Sequence, residues 1–292
     1  MISLNFWKKL IFVPFILLAC ADDSAIDTSN KIKDAEKMEP LNLPEKLGLG
    51  VDEVKMFTVP TPLQIASALR VMNVDYNENL LLENDKINLS SDIYLSLSLG
   101  MYLTDLGYSV IYNNRQKSLN FAKDVQYIME NLPIPTYIND GFKSRFMNNI
   151  EDKDSLSKII LEGYYEANQQ ITQTHNEGMG LLILTGSYIE GLHLASSFNS
   201  THWVKEYDSM LIQQKLFLQN FITLLDGYNS NSKIAMILDQ LNELQLIFEG
   251  IEIQFNDQTK SHELVQPFSL DDKEKINEIV SALRIDIIER SH

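Results

Sequence analysis

The chain has 292 residues, enough for one large domain or two small helical ones with a substantial core. Its 40 Asp and Glu outnumber 24 Lys and Arg, giving a net charge of −16 at pH 7. Such a chain repels phosphate backbones and, lacking a basic stripe, is a poor partner for nucleic acid. Cys20 is the only cysteine, so no intrachain disulfide can form and the fold depends on its own core.

The first nineteen residues fall into three zones. Lys8 and Lys9 carry positive charge, Leu10 to Leu18 form an apolar run interrupted by Pro14, and Ala19 is small. That is the layout of a signal peptide. A run of about nine residues falls well short of the roughly 20 needed to cross a bilayer as a helix. The segment ends Leu17-Leu18-Ala19-Cys20, which resembles the lipobox of bacterial lipoproteins. The resemblance implies a diacylated Cys20, removal of residues 1–19 and usually a third acyl chain such as palmitate on the new amino terminus. Two or more chains give stable anchoring at about 0.8 kcal/mol per buried CH₂. Ala21 stands where an aspartate would resemble an inner-membrane retention signal, so the outer membrane is the expected location. Asp22 and Asp23 look like the surface-export tag of lipoproteins in the Bacteroidetes, and periplasmic and surface-exposed orientations both stay open. The leader holds two of the Lys and Arg and no acid, so the mature chain carries −18, and the acyl chains rather than charge are its membrane contact.

Residues 20–50 follow as a tether, rich in Asp, Ser, Lys and Glu, with Pro44, Gly48 and Gly50 at its end. Too few large apolar groups lie there to offset the entropy of ordering. Residues 51–292 read as a helical domain. Val54 to Val59 fits a short extended piece, and Thr61 with Pro62 fits the start of a first helix that includes Leu63, Ala66, Leu69 and Arg70. Further helices are expected at Ser90 to Tyr112, Arg115 to Asn131, Tyr137 to Asn148, Lys153 to Thr174, Glu177 to Phe198, Trp203 to Tyr228, Lys233 to about Ile253 and Leu270 to Arg290. The expected fold is therefore all-α, a multi-helix antiparallel bundle or array of eight to nine helices. A polar break at residues 149–154 allows two bundles instead of one.

Leu99-Gly100-Met101-Tyr102-Leu103 precedes Thr185-Gly186-Ser187-Tyr188-Ile189 by 86 residues, and Leu106 matches Leu192 on the same offset. Each stretch has one acid, Asp105 and Glu190, one residue out of register. Duplication and chance similarity between two buried helices both account for the echo.

From Gly178 to Thr201 the only side chain charged at neutral pH is Glu190. With residues about 100° apart, Leu181, Leu184, Tyr188, Leu192 and Ala195 share one face, and Gly186, Glu190, His193 and Ser197 form a narrow strip opposite. A helix apolar nearly all round belongs in the middle of a bundle, where a carboxylate needs donors or a shifted pKa. The strip, with Asp105 and Tyr102 from the earlier helix, fits a ligand groove. It also fits a close helix packing across Gly186, with Glu190 tied to a Lys, Tyr or backbone donor. Glu190 and His193 also form Glu-x-x-His, half of the ligand set of ferritin-like dimetal bundles. Asp105, Glu162, Glu166 and His175 are the acids and imidazole nearest to hand, but no second Glu-x-x-His supplies the missing half, so neither a metal nor another cofactor is expected. Tyr94, Tyr102, Tyr108 and Tyr112, and Tyr164 with Tyr165, fit a cleft rim or residues bridging core and water. No nucleophile elbow, phosphate loop, zincin motif or calcium loop occurs, and the catalytic residues, if any, are not identified by local motif.

The lipobox, the stretch Gly178 to Ala195, the Pro-Thr-Pro within Phe57 to Leu63 and the segment Leu97 to Asn113 together resemble uncharacterised helical lipoproteins of Bacteroidetes. The resemblance implies an all-α fold and an envelope location, and brings no activity. The function expected is an envelope-anchored lipoprotein that binds a small ligand or an envelope protein without catalysis. A glycan or peptide hydrolase with dispersed carboxylates and a structural scaffold are the alternatives.

Overall fold

A computed structural model describes residues 41–42, 58–59, 63–83, 87, 91–133, 136–162, 177–197, 205–256, 261–266 and 268–290. Among them the chain is all-α with nine helices: α1 (Gln64–Val71), α2 (Asp92–Ile111), α3 (Arg115–Glu130), α4 (Thr136–Asn148), α5 (153–162), α6 (Glu177–Ser196), α7 (Lys205–Asp226), α8 (Ser232–Glu249) and α9 (Leu270–Arg290). Two small antiparallel strand pairs accompany them. β1 (Leu41–Asn42) pairs with β2 (Thr58–Val59), and β3 (Ile253–Asn256) pairs with β4 (Ser261–Leu264). Leu41 and Asn42 thus form ladder contacts inside the stretch expected to be tether, while Cys20 and the leader lie outside the described residues.

The helix ends follow local chemistry. α1 and α2 both stop at an asparagine in the left-handed region, Asn73 (φ 57°) and Asn113 (φ 60°). In each case the next amide reaches back across the last turn, Val74 N–H to the Leu69 carbonyl (3.0 Å) and Asn114 N–H to that of Ser109 (2.8 Å). Asn114 then caps α3 by accepting from the Lys117 amide (3.1 Å). Asp152 Oδ1 accepts from Asp154 and Ser155 amides at the start of α5, within the polar break. An ion pair of Arg145 with Glu162 links the helices on its two sides, and one of Arg115 with Glu151 ties the break to α3. Ser269 and Asp272 cap α9 reciprocally, through Asp272 N–H to Ser269 Oγ (3.0 Å) and Ser269 Oγ to Asp272 Oδ2 (2.6 Å).

The core is built on α2 and α6, the two helices that carry the sequence echo. Nearly every residue of α2 from Tyr94 to Ile111 is buried, and Leu181 to Ala195 of α6 are buried throughout. Such helices expose no polar face, so neighbours must cover them on all sides. α1 packs on both, α3 on α2, α7 on α6, and α9 on both; α8 lies against α7 and α9, and α4 against α3.

The central contact is closer than ordinary side chains permit. A Cβ on Gly100 would lie 1.9 Å from the Ile183 carbonyl oxygen, and one on Gly186 would lie 1.9 Å from that of Leu97. Leu97 and Ile183 are separated by the same 86 residues as the two glycines. Leu97 meets Gly186, Gly100 meets Ile183 and Ser187, and Thr104 meets Ser187, so contacts advance together along both helices and the pair runs parallel. Ser187 Oγ donates to the Gly100 carbonyl (3.0 Å) across the seam. The echoed tyrosines play matching parts as well. Tyr102 lies edge-on to Phe121 of α3 (centroids 6.0 Å), and Tyr188 lies against Phe221 of α7 (5.1 Å), in each case the helix that follows. The echo is therefore a pseudo-twofold contact between its two copies.

One expected helix end is different. α8 stops at Glu249, and β3 follows it, paired antiparallel with β4, which packs against α7. Among the described residues no helix is long and apolar enough to cross a membrane.

Candidate functional site

One turn beyond the glycine contact, the α2–α6 seam turns polar. Asp105 and Glu190 are each 0 % exposed, and their carboxyls are close enough to act on one another electrostatically. Arg284 of α9 supplies the cation: its Nε donates to Glu190 Oε2 (2.8 Å) and Oε1 (3.0 Å). Ile276, Val280, Leu283 and Ile287 are buried along α9, and Arg284 follows Leu283 on that core-facing side. A guanidinium there delivers its charge into the bundle while keeping some of its stem against apolar neighbours.

The remaining contacts run to residues 74–83, an extended segment with one turn of 3₁₀ helix at Glu78–Leu80. Arg284 Nη2 donates to the Leu80 carbonyl (2.7 Å), and His193 Nε2 lies 3.2 Å from the same oxygen. Because a carbonyl only accepts, Nε2 carries the ring proton in the neutral imidazole. The Leu82 amide donates to Asp105 Oδ2 (2.8 Å). Three tyrosines of α2 continue this attachment. Tyr102 donates to the Glu83 carbonyl (3.0 Å), Tyr108 accepts from the Asn77 amide (3.1 Å), and Tyr112 donates to the Val74 carbonyl (2.7 Å). Tyr76 stacks on Tyr108 (5.1 Å) and lies tilted against Tyr112 (5.7 Å). Residues 74–83 therefore form a strap laid along α2, with Leu81 and Leu82 buried and Asn77 to Asn79 and Glu83 exposed.

The charge balance follows from this geometry. Two carboxyls share one guanidinium, and Asp105 Oδ1 receives no donor. Burial, followed by the adjacent Glu190 carboxyl, holds Asp105 well above the usual carboxylate range, outweighing Arg284 and the Leu82 amide. The neutral acid is thus the buried form, able to donate to Glu190 while Glu190 pairs with Arg284. Burial works against the charge of Arg284, but the carboxyls of Glu190 and Asp105 overcome it and raise its pKa. Burial lowers the pKa of His193, opposed by Glu190, and keeps the imidazole neutral at pH 7. The Tyr102 hydroxyl is pushed up by burial and then by Asp124 and Asp105, so it serves as a donor.

The residues singled out in the sequence are largely brought together, but as a packed seam. Glu190, His193, Asp105 and Tyr102 meet beneath the strap. Gly186 makes no room for a ligand, because the Leu97 backbone fills the space against it. Ser197 is drawn to α9, where its Oγ donates to Asn277 Oδ1 (3.0 Å). Glu162 pairs with Arg145 at the surface, away from the centre. Glu166, His175, Tyr164 and Tyr165 lie outside the described residues. Among the described residues no cluster of three or more His, Cys, Asp or Glu side chains is placed to hold a metal ion. Sequence reasoning missed Arg284 and the strap. The signal for Arg284 was an arginine set eight residues after Ile276 on the buried side of an amphipathic helix.

Fold and site together define an all-α protein centred on a parallel helix pair with a buried carboxyl pair, one paired cation and a backbone strap. Compared with known proteins, the chain matches no family model, no curated protein and no solved structure.

Proposed function

We propose that this chain is an exported protein, anchored to the outer membrane by acyl chains on Cys20, that binds a small ligand or an envelope protein without catalysing a reaction. The observation that carries the anchor is the order of charge at Lys8 and Lys9, apolar run and Leu17-Leu18-Ala19-Cys20, with Cys20 the only cysteine. Non-catalytic binding is supported by the way the polar centre is used. Glu190 is bound to Arg284, His193 Nε2 and Arg284 Nη2 to Leu80, and Asp105 to Leu82. A substrate would have to displace these contacts before meeting a reactive group. The resemblance to helical lipoproteins of Bacteroidetes points to the same compartment.

A hydrolase is the second reading, favoured by one observation: two fully buried carboxyls, Asp105 and Glu190, meet at the polar centre, and paired carboxyls are a means of acid–base catalysis. Glycoside hydrolysis needs carboxyls set on either side of a sugar, whereas Asp105 and Glu190 are both fully buried. Peptide hydrolysis by a proton-sharing pair fits better, but Arg284 commits one member to an ion pair.

Mass spectrometry of the N-terminal peptide from native membranes tests the anchor. An acylated Cys20 at the new amino terminus is expected; an intact leader or an unmodified Cys20 overturns it. Protease shaving of whole cells then distinguishes the two faces of the membrane. Stoichiometric capture of a ligand or envelope protein supports binding, and turnover of a peptide panel that disappears in Asp105→Asn supports the hydrolase.

A further inference from the structure

We propose that residues 80–83 are a proton-latched lid over the Asp105–Glu190 pair, closed while the pair holds one proton and opened when that proton leaves. This inference is independent of the membrane anchor and concerns access to the polar centre.

The latch rests on placement. Asp105 and Glu190 are both fully buried, and the single guanidinium between them reaches Glu190 with Nε and the lid with Nη2. Elsewhere the pair is enclosed by α2, α6 and α9, helices whose separation would disrupt the main core. Among the described residues the pair is also covered by an extended segment with an exposed outer side at Glu78, Asn79 and Glu83. Three polar ties between lid and centre converge on this one charge set, Leu82 N–H on Asp105 and Leu80 C=O on Arg284 and His193, while Tyr102 donates to the Glu83 carbonyl beside them.

The groups facing Asp105 leave one way to compensate a second negative charge. Tyr102 and Tyr108 on α2 and Tyr76 on the strap are neutral phenols, and His193 on α6 is neutral. Glu190 on α6 repels it, and Arg284 on α9 is already shared. An ionised Asp105 therefore requires water, since a buried unpaired carboxylate is strongly disfavoured. Local opening of the lid admits water without separating the central helices. The other end of the strap stays fixed by Tyr76 stacked on Tyr108 and by Tyr112 bonded to Val74, so the movement hinges near Asn77.

Hydrogen–deuterium exchange of the full chain, followed on peptides covering residues 74–83 between about pH 6 and pH 9, tests the latch. With intrinsic exchange rates divided out, opening linked to loss of one proton lowers protection of the Leu81 and Leu82 amides by about tenfold per pH unit as pH rises toward the raised closed-state pKa of Asp105. Asp105→Asn keeps both parts of the neutral acid, an acceptor for Leu82 and a donor for Glu190, and should hold protection independent of pH. Equal pH dependence in wild type and Asp105→Asn overturns the proposal, as does a flat profile in the wild type. Infrared titration of the wild type gives a readout that does not depend on the variant folding. A protonated carboxyl band at neutral pH that disappears together with lid protection is expected; absence of that band, or its loss without a change in protection, overturns the latch.

Discussion

Gly100 and Gly186, 86 residues apart, occupy equivalent places on either side of one parallel helix contact, each meeting the backbone that corresponds to its own partner's. Gly100 lies on Ile183 and Gly186 on Leu97. Alanine at either position places a methyl group 1.9 Å from a carbonyl oxygen, which the backbone must move to relieve. Each single substitution should lower stability by about 1 to 3 kcal/mol or more. Because one displacement of the helices relieves both clashes, the double variant should cost less than the sum of the singles, with a coupling of about 1 kcal/mol. Urea unfolding of the four proteins measures this; strict additivity would mean that the two contacts are independent.

The strap makes its own prediction. Tyr112→Phe removes a 2.7 Å hydrogen bond to Val74 and keeps the ring against Tyr76 and Tyr108. A loss of about 0.5 to 1.5 kcal/mol is expected, together with faster amide exchange at residues 74–77. Tyr94→Phe, on the same helix but beneath Lys233 of α8, should leave exchange of the strap unchanged.

The polar centre predicts opposite pH responses from two neighbours. Burial lowers the folded-state pKa of His193 below its ordinary 6.5. A base whose folded pKa is depressed contributes stability that is complete above its unfolded pKa and declines as pH falls toward the folded value. Asp105, whose folded pKa is raised, has the reverse effect: its contribution is complete below the unfolded value near 3.8 and declines as pH rises toward the folded one. Asp124, raised by burial to about 6, adds a decline of the same sign between those two values. In melting curves, His193→Gln should therefore flatten the acid side below about pH 6.5. Asp105→Asn should flatten the alkaline side instead. Identical pH profiles for His193→Gln and wild type would show that the imidazole is not desolvated.

Much of the fold was legible because its boundaries are written in local chemistry. Asn113-Asn114, Asp152 and the start of α9 mark real caps, and the uncharged stretches of α2 and α6 mark the centre. The pairing of β3 with β4 was hidden by its strong approach from a helix, although Ile251, Ile253 and Phe255 alternate as a strand would. Glu190 was recognisable as buried because a lone charge in an apolar helix must be satisfied. Its partner was not, since Arg284 lies 94 residues away and sequence periodicity places a residue on a face without saying what that face meets. The strap escaped for a different reason. Residues 74–83 hold position by backbone hydrogen bonds to Tyr102, Tyr108 and Tyr112, and a backbone donor or acceptor leaves no mark in the sequence.

That the polar centre is a structural lock, rather than a set of groups held ready for chemistry, is tested most directly by the ion pair of Glu190 and Arg284 in a double-mutant cycle. Removing one member strands a buried charge: Glu190→Gln leaves Arg284, and Arg284→Met leaves Glu190 beside Asp105. Each single variant should lose about 3 to 5 kcal/mol, and the double variant should lose substantially less than the sum. Chemical denaturation of the four proteins at pH 7 gives these values. Marked coupling with large single costs is the predicted result; an unchanged unfolding curve for Glu190→Gln would contradict the account.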